Sequence, residues 1–195
     1  APSITINPVA NPTNQDVTLT YILSDNLTPQ DQIALTGDNS PYTQEGEYSV
    51  TLTAKDLAGN TASKSISFVI DNTPPSGSIQ INNGSEYTNS QAVSLNLSAS
   101  DSGSGVSQMQ FSNDGSNWSN PEAYVATKSW ILTLNDAEKT VYVRFLDKAG
   151  NWSAVYSGSI ILDTTPPAIN IISPQDNSST NQSSVTLNYT IDGQA

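Results

Sequence analysis

In 195 residues, 35% of them hydrophobic, the chain has room for one or two domains but not for one deep core. Six basic against 18 acidic residues leave a net charge of −12, which excludes a phosphate-gripping nucleic-acid surface. The absence of Cys and His excludes disulfides, thiolate chemistry, zinc sites and a Ser-His-Asp or Cys-His centre, and no apolar run approaches the roughly 18 residues that cross a membrane.

From the N-terminus, "ITI" at Ile4, "VTLTYIL" at Val17 and "QIAL" at Gln32 read as short strands. "EYSVTLTAK" then sets Val50, Leu52 and Ala54 on one face, with mostly polar residues between them, the period of a half-buried strand. Asp56-Leu-Ala-Gly-Asn60 supplies a turn in which Gly59 is free to take positive φ, and "ASKSISFVI" returns as the second arm of a hairpin. "DNTPP", from Asp71, closes this series.

The next series has "SIQI" at Ser78, "AVSLNLSAS" at Ala92 and "SQMQFS" at Ser107, then an Asn-Asp-Gly turn at Asn113 and "SWILTL" at Ser129. Val141, Val143 and Phe145 repeat the pattern of Val50, Leu52 and Ala54. Asp147-Lys-Ala-Gly-Asn151 repeats the turn, "SAVYSGSIIL" repeats the return strand, and "DTTPP" from Asp163 repeats the close. A third series begins with "INII" at Ile169 and "SVTLNYTI" at Ser184. No window sustains a 3.6-residue period, so the chain reads as all-β. Its 29 Ser, 20 Thr and 20 Asn suit solvent-facing strands and turns, and ordered alternation with only 12% charged residues argues against disorder.

The "AKDLAGN" and "FLDKAGN" hairpins, the "DNTPP" and "DTTPP" junctions and the phrase "GSGVSQMQFSNDGSNWS" resemble tandem bacterial Ig-like repeats of cell-surface proteins, adhesins and large secreted enzymes. The resemblance implies Ig-like antiparallel β-sandwiches of about seven strands. Residues 1–71 are the first, 72–75 a linker, 76–163 the second, 164–167 a linker, and 168–195 the first two strands of a third. It also implies an extracellular, cell-surface location; zero Cys fits this as well as it fits a reducing cytosol. No signal peptide is visible, and Ala1 reads as a processing or cloning boundary. Tyr48 stands where Ig-like folds carry a tyrosine corner, whereas the aligned Lys139 predicts that the second unit has none. All five lysines fall late in their units, which argues against the Lys–Asn isopeptide bond of some surface Ig-like domains.

Thr-Pro-Pro fixes φ at two successive positions and restricts the residue before each Pro, so the junctions read as stiff, extended linkers. A plainer reading has Pro-Pro end one edge strand and start the next. In Ig-like topology Asp71 falls near Asp101 and Asp147, and three carboxylates there suit Ca2+, a hard, oxygen-ligated cation. The following joint offers Asp163 and Asp192. Similar joints in some bacterial adhesin repeats bind calcium, so the resemblance implies the same. The competing reading is that each Asp bonds its own turn backbone.

The acidic residues lie mostly in turns rather than around a cleft, so no enzymatic activity is expected. Trp118 and Trp152 read either as a sugar platform or as cover for a sheet edge, and Trp130 as core. Partners are therefore the neighbouring domains of the same chain, with a surface glycan, a surface protein or copies of the chain as alternatives. The expected role is a semi-rigid spacer or stalk. The rivals are a binding module, an accessory region of a polysaccharide-degrading enzyme, and a filament subunit in which the tail strands add to another chain.

Overall fold

The structure, a computed structural model, describes residues 1–192; the last three residues expected in the third series, 193–195, lie outside the described residues. β1 (Ser3–Ile6) pairs antiparallel with β2 (Tyr21–Ser24), Ser3 opposite Ser24. β3 (Ala34–Thr36), β4 (Gly46–Lys55) and β5 (Thr61–Ile70) form a second antiparallel sheet. Val50 and Leu52 of β4 bury against Phe68 and Ile70 of β5, with Val17 and Leu19 closing the core. On the outer face Thr51 and Thr53 hydrogen-bond Ser65 and Ser63 at 2.8 and 2.9 Å, which is where the Ser and Thr excess goes. The run expected from Val17 becomes strand only at Tyr21. Val17 instead exchanges both of its backbone bonds with Tyr42 in an isolated bridge, and this sandwich has five strands where about seven are expected of the fold.

The second sandwich comprises β6 (Ser76–Ile81), β7 (Tyr87–Thr88), β8 (Ala92–Ser100), β9 (Val106–Ser112), β10 (Glu122–Ala123), β11 (Thr127–Ile131), β12 (Ala137–Asp147) and β13 (Tyr156–Leu162). A β11-β8-β6 sheet faces a β10-β9-β12-β13-β7 sheet, antiparallel throughout except where β7 runs parallel to β13. Val141, Val143 and Phe145 are fully buried, and Tyr124 and Tyr156 pack on Phe145 at ring separations of 5.9 and 6.0 Å. The return strand starts at Tyr156, not at Ser153, because the Ser153 hydroxyl accepts the Phe145 amide at 2.9 Å and holds the intervening chain out of the ladder. Trp130 is half-buried against the core and donates its indole N–H to Asn113 at 2.7 Å.

No core cluster mixes residues from the two sets of strands. The chain is all-β, with tandem Ig-like sandwiches and no α-helix among the described residues. Tyr48 forms the expected corner, its hydroxyl donating to Gln44 O at 2.8 Å; at the aligned position Lys139 donates its ammonium to Leu134 O at 2.9 Å. β14 (Ala168–Ser173) and β15 (Asn188–Asp192) pair only with each other among the described residues. Their shared face of Ile169, Ile171, Tyr189 and Ile191 is exposed.

Candidate metal centre at the joint

The first carboxylate ends a strand. Asp71 follows β5 directly, its amide donating to Thr13 O at 2.9 Å, and its side chain is fully buried. Its Oδ1 accepts the Thr73 amide at 3.1 Å, the Asx turn that the Asp-x-Thr phrase writes; Asp163 and Thr165 repeat it at the same distance. The second carboxylate opens a loop. Asp101 stands one residue past β8 and accepts the amides of Gly103, Ser104 and Gly105. The third ends β12, where the register with β9 shifts. Asp147, also buried, accepts the amides of Gly150 and Asn151 at 2.6 and 2.8 Å and the Asn151 side-chain amide at 2.8 Å.

These three loops meet. Oxygens of Asp71, Asp101 and Asp147 all lie within 4.8 Å of one another. The Ser104 amide bridges Asp71 Oδ2 at 2.6 Å and Asp101 Oδ2 at 3.1 Å. The Asn151 side chain is the other fastener: its Nδ2 donates to Asp71 O at 2.7 Å, and its Oδ1 accepts Asn14 Nδ2 at 3.1 Å. Neither of the ion pairs among the described residues, Ala1 with Asp25 and Lys128 with Glu122, involves the three carboxylates. The six carboxylate oxygens offer about 12 lone-pair sites, and the eight N–H bonds to them occupy only part of these. The donor set is all oxygen, it converges, and it retains acceptor capacity, so it fits a hard divalent cation.

The second joint is built differently. Asp192 lies within β15 opposite Ala168, whereas Asp101 stands just beyond the corresponding Ser76–Ser100 pair. Asp163 is half-buried and its Oδ1 serves the Asx turn. What both joints share is a clasp on the linker threonine. Glu45 accepts the Thr73 hydroxyl at 2.7 Å, and Asp136 accepts the Thr165 hydroxyl at 2.6 Å and the Thr164 hydroxyl at 2.7 Å. These bonds, led by that from Thr165, lower the Asp136 carboxyl to about 2.

No family model matches the sequence, and no curated protein does either. Among solved structures, the chain is similar to the fibronectin(III)-like modules of Clostridium thermocellum CbhA. The match has 17% identity and a TM-score of 0.45, over 82% of this chain and 94% of that one. It is similar also to the D00-D0 domain of intimin, at 10% identity and a TM-score of 0.36 over 84% of this chain and all of that one. A tetra-tandem repeat in the extending region of a large adhesion protein matches at 17% identity and a TM-score of 0.36, over 91% of this chain and 53% of that one.

Trp118 and Trp152 neither stand free nor merely cover an edge. They sandwich Arg144, whose guanidinium carbon lies 4.6 and 4.5 Å from the two ring centroids. Each Trp follows a turn of the same design, Asp114 with Asn117 and Asp147 with Asn151. The serine after each Trp caps the neighbouring strand, Ser119 on Phe111 and Ser153 on Phe145. Asn14, Asn151 and Gly103 are joint residues that the sequence reading did not single out. The signal for Asn14 is the recurrence of Thr-Asn at Thr13, Thr88 and Thr180, and for Asn151 that of Asn at the end of each Asp-x-Ala-Gly-Asn turn; Gly103 has no such recurrence.

Proposed function

We propose that the chain is a non-catalytic spacer of an extracellular surface protein, whose successive Ig-like domains are held in a semi-rigid array by joints that Ca2+ tightens. Residues 1–71 and 76–163 are two such domains, joined by 72–75, and 168–195 opens a third after 164–167. The observation that carries this reading is the convergence of Asp71, from the first sandwich, with Asp101 and Asp147, from the second. A cation held there by Asp71, Asp101 and Asp147 neutralises charge contributed by both sandwiches, and so favours their docked arrangement over an open one. Asn151 and Ser104 supply the uncharged part of the same clamp.

Thermal melts and small-angle scattering with Ca2+ and with EDTA test the proposal together. At a calcium concentration about 100 times Kd the docked state gains about 2.7 kcal/mol, read as a higher Tm and a narrower distance distribution. Asp71→Ala and Asp147→Ala remove both effects. A chain whose melt and scattering are the same in millimolar calcium and in EDTA has no calcium-tightened joint.

A further inference from the structure

The two sandwiches do not present the same leading end, the end from which each is entered by the chain. In the second, Gly103 lies directly over the Asp71 carboxylate: a Cβ there falls within 2.5 Å of both carboxylate oxygens. The Gly103 backbone has no positive φ that would itself require glycine, so the steric conflict lies with Asp71. The first sandwich has the same frame. Asp25 stands one residue past the Ser3–Ser24 pair, as Asp101 stands past Ser76–Ser100, and it accepts amides two and three residues on, from Leu27 and Thr28. Asp56 and Asn60 reproduce Asp147 and Asn151, with bonds of 2.8 and 2.7 Å. At the position of Gly103, however, stands Leu27, 94% exposed.

We infer that the residue two places after the loop aspartate is the gate of the joint. Gly103 admits the aspartate at the head of an Asp-x-Thr-Pro-Pro linker, and Leu27 closes the leading end of the first sandwich to it. This rests on the reading of the joint as the element that sets domain orientation. It adds that the joint is keyed, so two ends with matching carboxylates are not interchangeable. Beyond the Cβ, a leucine side chain fills the volume in which the incoming carboxylate, the Ser104-type amide and any shared cation meet.

The test uses the full chain in EDTA, so that calcium plays no part, and reads amide exchange at Ser104. Wild type is expected to be protected there. Gly103→Ala raises the exchange rate at least tenfold, Asp71→Ala does so too, and the double variant exchanges no faster than Asp71→Ala alone. Fluorescence from Trp118, Trp130 and Trp152, all in the second sandwich, verifies that it remains folded. Protection unchanged in Gly103→Ala, or additive effects in the double variant, overturns the gate. Where only millimolar Ca2+ protects Ser104 in wild type, the same variants are compared in Ca2+; a Ser104 unprotected in wild type both in EDTA and in Ca2+ overturns the joint reading itself.

The second arm places another copy of residues 1–75 upstream, joined directly to Ser3, the counterpart of Ser76, so that the added linker keeps its native length. The added joint, which faces Leu27, is expected to be mobile in scattering, and Leu27→Gly to order it. An added joint already ordered with Leu27 in place, or one left mobile by Leu27→Gly, refutes the gate.

Discussion

Asn151 carries more of the joint than any carboxylate does alone. Its side chain meets Asp71 O, Asp147 and Asn14 at once, whereas its counterpart Asn60 meets only its own turn. Asn151→Ala is therefore expected to destabilise the second sandwich by about 1–3 kcal/mol, since partly buried acceptors lose their donor. Asn60→Ala should cost the first about 0.5–1.5 kcal/mol. Urea denaturation followed by tryptophan fluorescence reads the second sandwich, and amide exchange at β4 and β5 in urea reads the first; equal losses from the two changes, each in its own sandwich, would contradict the comparison. Asp136 makes a pH prediction. Its carboxyl is lowered to about 2, chiefly by the Thr165 hydroxyl and then by Thr164. The group is depressed on folding, so its contribution is complete above its unfolded value of about 3.9 and lost as pH falls through its folded value. The Thr164 and Thr165 amide shifts should titrate in that acid window and stop doing so in Asp136→Asn. A step that survives the substitution belongs to another group.

Among the elements, the β4–β5 hairpin bears four of the six buried residues of the main core of the first sandwich, and the β12–β13 hairpin bears five of the 13 of the second. The apolar alternation is the same in both, but the corners before them differ. Tyr48 stacks on Phe68 at 5.1 Å while its hydroxyl reaches Gln44 O, so Tyr48→Phe keeps the packing and deletes only the bond. The expected cost is about 0.5–1.5 kcal/mol, and Lys139→Met should cost no more, because the bond it deletes is exposed. Phe145→Ala, by contrast, empties the centre of the second core and should cost about 3–5 kcal/mol. Chemical denaturation ranks the three variants. A Lys139→Met loss as large as that of Phe145→Ala would mean that the lysine corner, not the core, holds the β12–β13 hairpin.

At the scale of the whole molecule, stability is unevenly spread. Two sandwiches have closed cores, while β14 and β15 form a two-stranded ladder with five large apolar side chains in water. A hairpin of that kind has no independent core to protect its backbone. Hydrogen exchange should therefore find β4, β5, β12 and β13 amides slow and those of β14 and β15 fast. Slow exchange at Ile169 and Ile191 at low protein concentration would show that the ladder has found cover. Concentration dependence of that protection would identify a second copy as the cover, the strand-addition arrangement considered from the sequence.

The sequence by itself determined the local and the repeated. Period-2 alternation named the buried faces of β4 and β12, Asp-x-Ala-Gly-Asn named their turns with Gly59 and Gly150 at positive φ, and Asp-x-Thr named the Asx turns. Repetition also brought Asp71, Asp101 and Asp147 together on paper, because units of one topology place equivalent loops at equivalent ends. What it left open depends on contacts between residues far apart in the chain. Val17 looked like strand until Tyr42 took its hydrogen bonds, and Trp118 and Trp152 read as a sugar platform or as cover for a sheet edge until β12 placed Arg144 between them. Asn14, Asn151 and Gly103 look like ordinary turn residues, and only the docked joint gives them their work. Alternation and turn chemistry act over a few residues and so are written in the chain. The fit of one sandwich against the next is a matter of ångströms between distant segments, and the tertiary structure alone decides it.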